Sequence, residues 1–215
     1  MKILVFDTET SGLPEKNASI YEHNKWPHII QLSYILFDTE KNKILIEHDW
    51  IIKISEQVKI SEESTQLHKI TFEKTQKEGV SLDHALDCFD ICFQNADVIV
   101  GHNLRFDKNM IMVESMRNYR ISSFKSSNKQ EYCTMKNSVD ICKILKRSKI
   151  KPREKFYKYP TQSELHNKLF KTIPKGVHNS WVDILICLRC YYYLTQNIDL
   201  YKTNVTFNRK IKNYV

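Results

Sequence analysis

The chain has 215 residues, 41% of them hydrophobic, which suits one domain with a real core. No apolar run approaches the roughly 20 residues of a membrane span, and Asp7 interrupts the apolar start too early for an export signal. The net charge of +8 favours a polyanionic partner, nucleic acid above all, and an intracellular protein (cytoplasm or nucleus, not secreted) is expected.

Residues 2–6 (KILVF) form a continuous apolar run, read as a central buried strand. Gly12, Pro14 and Pro27 mark 12–27 as a loop. Residues 28–37 and 43–52 read as two further strands joined by the turn DTEKN. Short helices are expected over 61–68 and 71–77. Residues 81–94 have the spacing of an amphipathic helix, with Leu82, Ala85, Leu86, Phe89 and Phe93 on one face and Ser81 as N-cap. DVIV (97–100) is a short buried strand ended by Gly101, and Asn103 is expected to cap a helix running to about 118. A polar loop over 120–131 precedes a short strand near 132–134 and a helix over 135–147. Residues 148–160 are basic and bounded by proline, so an extended or mobile segment is expected. Helices over 161–170 and 179–197 lead to a basic tail, 200–215. The cysteine pairs Cys88/Cys92 and Cys187/Cys190 fall inside helical patterns; the second, in ILICLRCYYYL, has no turn to form a metal knuckle, so buried thiols are expected. Three strands followed by alternating helices and strands point to an α/β sheet with helices packed on it.

Three places carry chemistry. Asp7 and Glu9 are two apart at the end of the first strand, so they project from the same face. Carboxylates held that close repel unless a cation lies between them, and hard oxygen ligands suit Mg²⁺ or Mn²⁺; a solvated strand end is the plainer alternative. Asp107, in GHNLRFD, is expected one helical turn beyond a buried strand, near the strand ends where α/β folds gather their sites. It would serve equally as an ordinary helix-start acid. His178 and Asp183, in HNSWVD, would lie about 140° apart on one helix. They converge if His178 precedes the helix and Asp183 lies in its first turns, with Gly176 shaping the loop; a capping or surface pair is the plainer alternative. Four carboxylates and a histidine are enough for a two-metal centre, with His178 as general base.

DTETSGL (7–13), GHNLRFD (101–107) and HNSWVD (178–183), in that order and spacing, resemble the three motifs of the DEDDh family of 3′–5′ exonucleases, which includes the proofreading subunit of bacterial DNA polymerase III and the three-prime repair exonucleases. Leu67-His68-Lys69-Ile70-Thr71 and Cys133-Thr134-Met135 resemble two minor segments of the family. The resemblance covers about residues 1–195. It implies an RNase H-like α/β fold, a mixed five-stranded sheet flanked by helices. It also implies two Mg²⁺ ions, with Mn²⁺ as substitute, on Asp7, Glu9, Asp107 and Asp183, Asp7 bridging both, and His178 as general base. Thr8, Thr10 and Leu13 fall where the family holds the terminal nucleotide, and His102, Asn103 and Phe106 where it contacts the strand. The implied reaction releases nucleoside monophosphates from a 3′ end, preferably single-stranded. DTETSGL is closer to the DNA branch; an oligoribonuclease-like RNA exonuclease and a non-catalytic nucleic-acid-binding module are the alternatives. Proofreading would need a polymerase or other replication or repair protein as partner.

The sequence departs from the family at Ser180, where alanine is common, and at Lys69, where glycine is common. Residues 143–158 carry eight lysines and arginines against one acid, more basic than in compact relatives. The whole chain, 1–215, is read as one exonuclease domain with this basic segment and the basic tail.

Overall fold

A computed structural model describes residues 1–125, 127–147 and 154–215. The first apolar run forms β1 (Lys2–Thr10), which continues past Phe6, so Asp7 and Glu9 lie within the strand rather than beyond it. β2 (Ile29–Asp38) and β3 (Lys43–Ile51) follow as a meander. Ser61 and Thr71 cap α1 (Glu62–His68) and α2 (Phe72–Glu78) by accepting from the amides of Ser64 and Lys74, and Ser81 caps α3 (Leu82–Asn95) in the same way. Each hydroxyl satisfies one of the amides that a helix start leaves without a partner.

β4 (Val98–Gly101) leads into α4 (Leu104–Arg117). Asn103 stands at the N-cap position, but at φ 67° and with no capping bond from its side chain. The expected cap is not made, because a capping side chain works from extended backbone, not left-handed backbone. β5 (Gln130–Cys133) begins slightly before the expected strand.

The single helix expected over 135–147 is replaced by two one-turn helices, α5 (Thr134–Asn137) and α6 (Val139–Cys142). They break at Ser138, whose backbone leaves the helical well at φ −115°, ψ 6°. Its hydroxyl donates to the Thr134 carbonyl at 2.7 Å, a local bond that competes with helix continuation. β6 (Leu145–Arg147) then pairs with β7 (Lys155–Tyr157). The 148–153 part of the expected basic extended segment lies outside the described residues.

α7 (Gln162–Phe170) opens with a capping box between Thr161 and Glu164, and α8 (Ser180–Gln196) is capped by Asn179. The basic tail is folded: α9 (Leu200–Thr203) and α10 (Val205–Ile211) bury Leu200, Phe207 and Ile211 in the core shared with α8. Arg189 of α8 fixes this corner. Its guanidinium donates to both Asp199 oxygens at 2.8 and 2.9 Å and to His166 Nε2 at 3.0 Å, and lies over the Phe170 ring. A buried guanidinium requires this degree of pairing.

Among the described residues, five strands form one mixed sheet in the order β3-β2-β1-β4-β5, with β1, β4 and β5 parallel and β2 and β3 antiparallel. The strand period of two sorts its faces. Leu4 and Phe6 join α3 and α4 in one core, and Ile3 and Val5 join α8, α9 and α10 in the other. The sheet is therefore covered on both sides, which explains why the whole of β2 is buried. Gly79 is required where the end of α2 meets the chain after β3: a Cβ there would lie 2.2 Å from the Thr75 carbonyl oxygen and 2.6 Å from the Lys53 amide. None of the cysteines, all of them described, is in a disulfide, and all but Cys88 are buried. No described helix is long and apolar enough to cross a membrane.

Candidate active site

The alternation that sorts the core continues into the polar end of β1. Asp7 and Glu9 follow Ile3 and Val5 onto the α8 side, whereas Thr8 follows Leu4 and Phe6 toward α4. Asp183 lies in the first turn of α8, and its carboxylate comes within 4.8 Å of those of Asp7 and Glu9. Asp107 lies in the first turn of α4, buried. Its Oδ1 accepts from the Thr8 amide at 3.0 Å and from the Thr8 hydroxyl at 2.8 Å. The four acids are brought to one end of the sheet, three in mutual contact range and the fourth held by the strand between them.

Their electrostatics are those of uncompensated anions. Burial, with Asp107, Asp183 and Glu9 adding repulsion, holds Asp7 well above the usual carboxylate range. Burial and the charges of Asp183 and Asp107 push Glu9 up to about 8. Burial raises Asp107 to about 7 against the opposing bonds from Thr8. Burial likewise raises Asp183 to about 7, opposed by backbone amides that include His178. Such a site favours either protons or a cation between the oxygens. An oxygen-only donor set of closely spaced carboxylates fits hard divalent ions.

His178 precedes α8, as the convergence with Asp183 requires. Gly176 and His178 both adopt left-handed backbone, φ 71° and 64°, and this turn lets the His178 amide donate to Asp183 Oδ2 at 2.9 Å. The His178 side chain is exposed and lines the same cleft as the acids. The cleft, about 520 Å³, is also lined by Thr8, Leu13, His102, Asn103 and Phe106. Leu13 is 81% exposed, an apolar side chain standing at the mouth.

Two of the expected substrate contacts are placed differently. Thr10 is buried and does not line the cleft, and its hydroxyl donates to the Gly12 carbonyl at 2.7 Å. Thr10 is the last residue of β1, beyond a register shift between Glu9 and Thr10, where the chain leaves the sheet. His102 lines the cleft, but both ring nitrogens are engaged. Nε2 donates to the Pro160 carbonyl at 3.1 Å, which in a neutral ring leaves Nδ1 to accept from the Thr134 hydroxyl at 2.9 Å. Burial holds this imidazole down at about 4, so it is neutral. His102 therefore ties the β4–α4 loop to the chain entering α7.

That tie brings in residues which the sequence did not single out. Thr161, Gln162, Ser163 and Val177 line the cleft, and Gln162 Nε2 donates to the Asp183 carbonyl at 2.5 Å. A capping box reads locally as a helix start, and nothing in its neighbourhood says that the helix starts at the site. Ser180, one of the departures from the family, also finds its reason. It is fully buried, and its hydroxyl lies 2.5 Å from that of Ser33, which donates to Asp49 at 2.7 Å. Gln31 donates to the same Asp49 oxygen and accepts from the Ser180 amide. This network fastens the start of α8 to β2 and β3. Lys69, the other departure, ends α1 at φ 61°, the left-handed conformation for which glycine is suited.

A sequence model of the RNase T type, described as Exonuclease, matches residues 4–191. No curated protein matches the chain. Among solved structures, E. coli exonuclease I in complex with a dT13 oligonucleotide is similar at a TM-score of 0.65 and 13% identity, over 91% of this chain and 42% of that one. A zinc-bound E. coli exonuclease I complex with single-stranded DNA gives a TM-score of 0.64 at 15% identity, over 91% and 41%. A moderately thermophilic exonuclease I from Methylocaldum szegediense gives 0.64 at 15%, over 97% and 42%. The chain thus spans about two fifths of the length of these neighbours, and the likeness is one of fold.

Proposed function

The chain belongs to the exonuclease family, and from that premise we propose that it hydrolyses the last phosphodiester at the 3′ end of a DNA strand, releasing a nucleoside 5′-monophosphate. The observation that carries this reading is the convergence of Asp7, Glu9 and Asp183 within 4.8 Å beside an exposed histidine in an open cleft. Asp7, Glu9, Asp107 and Asp183 would hold two divalent ions, Mg²⁺ or Mn²⁺. When bound, such ions compensate charge on the phosphate and make water a better nucleophile.

The chain's own residues do the rest. Thr8 fixes the orientation of Asp107, and the His178 amide fixes that of Asp183. The His178 imidazole accepts the proton of the attacking water; a ring at the cleft mouth can pass it on to solvent. Water adds to phosphorus, the bond to the 3′-oxygen of the preceding nucleotide breaks, and that oxygen leaves with a proton taken from solvent, which balances the one that His178 passes to solvent. Of the apolar residues lining the cleft, Leu13 would meet the terminal nucleotide and Phe106 the strand.

DNA is preferred over RNA as substrate because DTETSGL resembles the DNA branch, and the solved neighbours include complexes with DNA oligonucleotides. A replication or repair protein would be the partner if the role is proofreading. The test is digestion of matched 5′-labelled single-stranded DNA, duplex DNA and RNA with Mg²⁺. Stepwise shortening of single-stranded DNA, abolished by chelator, is expected. Faster RNA shortening would move the substrate to the RNA alternative, and no shortening of any strand would sink the exonuclease reading.

A further inference from the structure

The antiparallel pair β6–β7 presents three consecutive residue pairs, all six residues exposed. Leu145 pairs with Tyr157, Lys146 with Phe156 and Arg147 with Lys155. Three aromatic rings remain open to water at this place: Phe156 at 48%, Tyr157 at 43% and Tyr159 at 58% exposed. They border an open recess of about 790 Å³ together with Lys136, Lys146 and Lys158, and no acid among the described residues lines it. Lys158 is paired with Glu164 at 2.6 Å, whereas Lys136 and Lys146 have no ion pair among the described residues.

The recess is joined to the cleft in two ways. Lys136 also lines a second recess with Leu104 and Arg105, which directly follow the cleft residue Asn103. From the other side, Tyr159 is followed by Pro160, held by His102, and then by the cleft residues Thr161 to Ser163.

Rings alternating with lysines are the combination that binds single-stranded nucleic acid, bases stacking on the aromatic faces and phosphates meeting the cations. An apolar protein contact would have no use for the lysines. We propose that this recess is a platform for the single strand upstream of the 3′ end, with Phe156, Tyr157 and Tyr159 stacking bases and Lys136 and Lys146 meeting phosphates. The inference rests on the exonuclease reading for which end of the strand lies in the cleft, but not for the binding itself.

The experiment measures anisotropy of a 5′-fluorescein dT12 in excess chelator, and hydrolysis of dT12 and of a dT dinucleotide with Mg²⁺. Phe156→Leu/Tyr157→Leu removes both rings and keeps apolar bulk; Phe156→Tyr/Tyr157→Phe keeps both rings and controls for folding. The Leu pair is expected to weaken dT12 binding at least ~10-fold, since stacking contributes about 1–3 kcal/mol per base. It should lower dT12 hydrolysis relative to the dinucleotide by a similar factor, and the ring-preserving pair should bind like the parent. Equal dT12 affinity of the Leu pair and the parent, or no dT12 binding by the parent, would overturn the proposal; the first result would assign the exposed rings to a protein contact. Ring-dependent binding without hydrolysis of either substrate would support the platform while refuting the exonuclease reading.

Discussion

Thr8 donates twice to a single carboxylate oxygen of Asp107, through its amide at 3.0 Å and its hydroxyl at 2.8 Å. The residue between two acids of β1 thereby orients a third acid from another element. Groups that orient metal ligands typically matter at the level of 10–100-fold in metal affinity or activity. Thr8→Val removes the hydroxyl and keeps the shape and the amide. Its divalent-ion requirement, read from the dependence of cleavage rate on Mg²⁺ concentration, should rise by about that factor, and Thr8→Ser should restore it. A Mg²⁺ curve for Thr8→Val that overlies the parent's would mean that the amide alone positions Asp107.

The raised carboxylates give the metal-free protein a defined pH response. Glu9 sits at about 8 and Asp107 and Asp183 at about 7 when folded, against ordinary values of 4.5 and 3.8. Below about pH 4 both states hold these protons. Between about 4 and 8 the unfolded chain has released protons that the folded chain retains, so stability falls as pH rises through that window. In chelator, the melting temperature should therefore be lower at pH 8 than this site would allow at pH 5. Divalent ions should raise it more at pH 8, because at pH 5 they must displace protons. Equal metal-induced shifts at the two pH values would contradict the charge state assigned to the cluster.

His178→Ala tests the proton acceptor. Loss of a general base typically costs on the order of 10²–10⁴-fold in rate, while affinity for dT12 should change little. Because the amide that holds Asp183 belongs to the backbone, the substitution leaves that bond available. A His178→Ala enzyme within a few-fold of the parent's rate would show that another group takes the proton.

Lys69→Gly should stabilise the protein. Lys69 pays the steric cost of left-handed backbone at φ 61°, about 1–2 kcal/mol for a residue with a Cβ. Glycine avoids it but gives back roughly 0.4–1 kcal/mol through the freedom of the unfolded chain. A net gain between about 0 and about 1.6 kcal/mol in urea unfolding is the expected balance. A destabilised variant would mean that the exposed lysine makes contacts worth more than its backbone strain.

The five strands of the main sheet, the cap at Ser81, and four acids in three motifs were legible because each depends on near neighbours. A period of two puts Asp7 and Glu9 on one face, whatever the rest of the chain does, and His178 could meet Asp183 only from a turn before the helix. Local signals misled where a distant partner or an unusual dihedral decided: Asn103 at positive φ makes no cap, and Ser138 splits a helix that composition alone would continue. β7 falls in the segment expected to be extended, but β6 falls within the expected helix, because its exposed residues carry no buried period of two.

What the sequence by itself determined is the set of candidate acids and the histidine and the order in which the chain supplies them, because side-chain chemistry and strand and helix periods are properties of short segments. Only the tertiary structure decided which groups meet. It turned Thr8 onto Asp107, removed Thr10 from the cleft, engaged both nitrogens of His102 with Thr134 and Pro160, and set Gln162 beside Asp183. Each of these contacts joins residues that packing brings together, as with Thr8 of β1 and Asp107 of α4. Burial, the cause of the raised carboxylates, is likewise a property of the packed sheet and helices and has no counterpart in the isolated motifs.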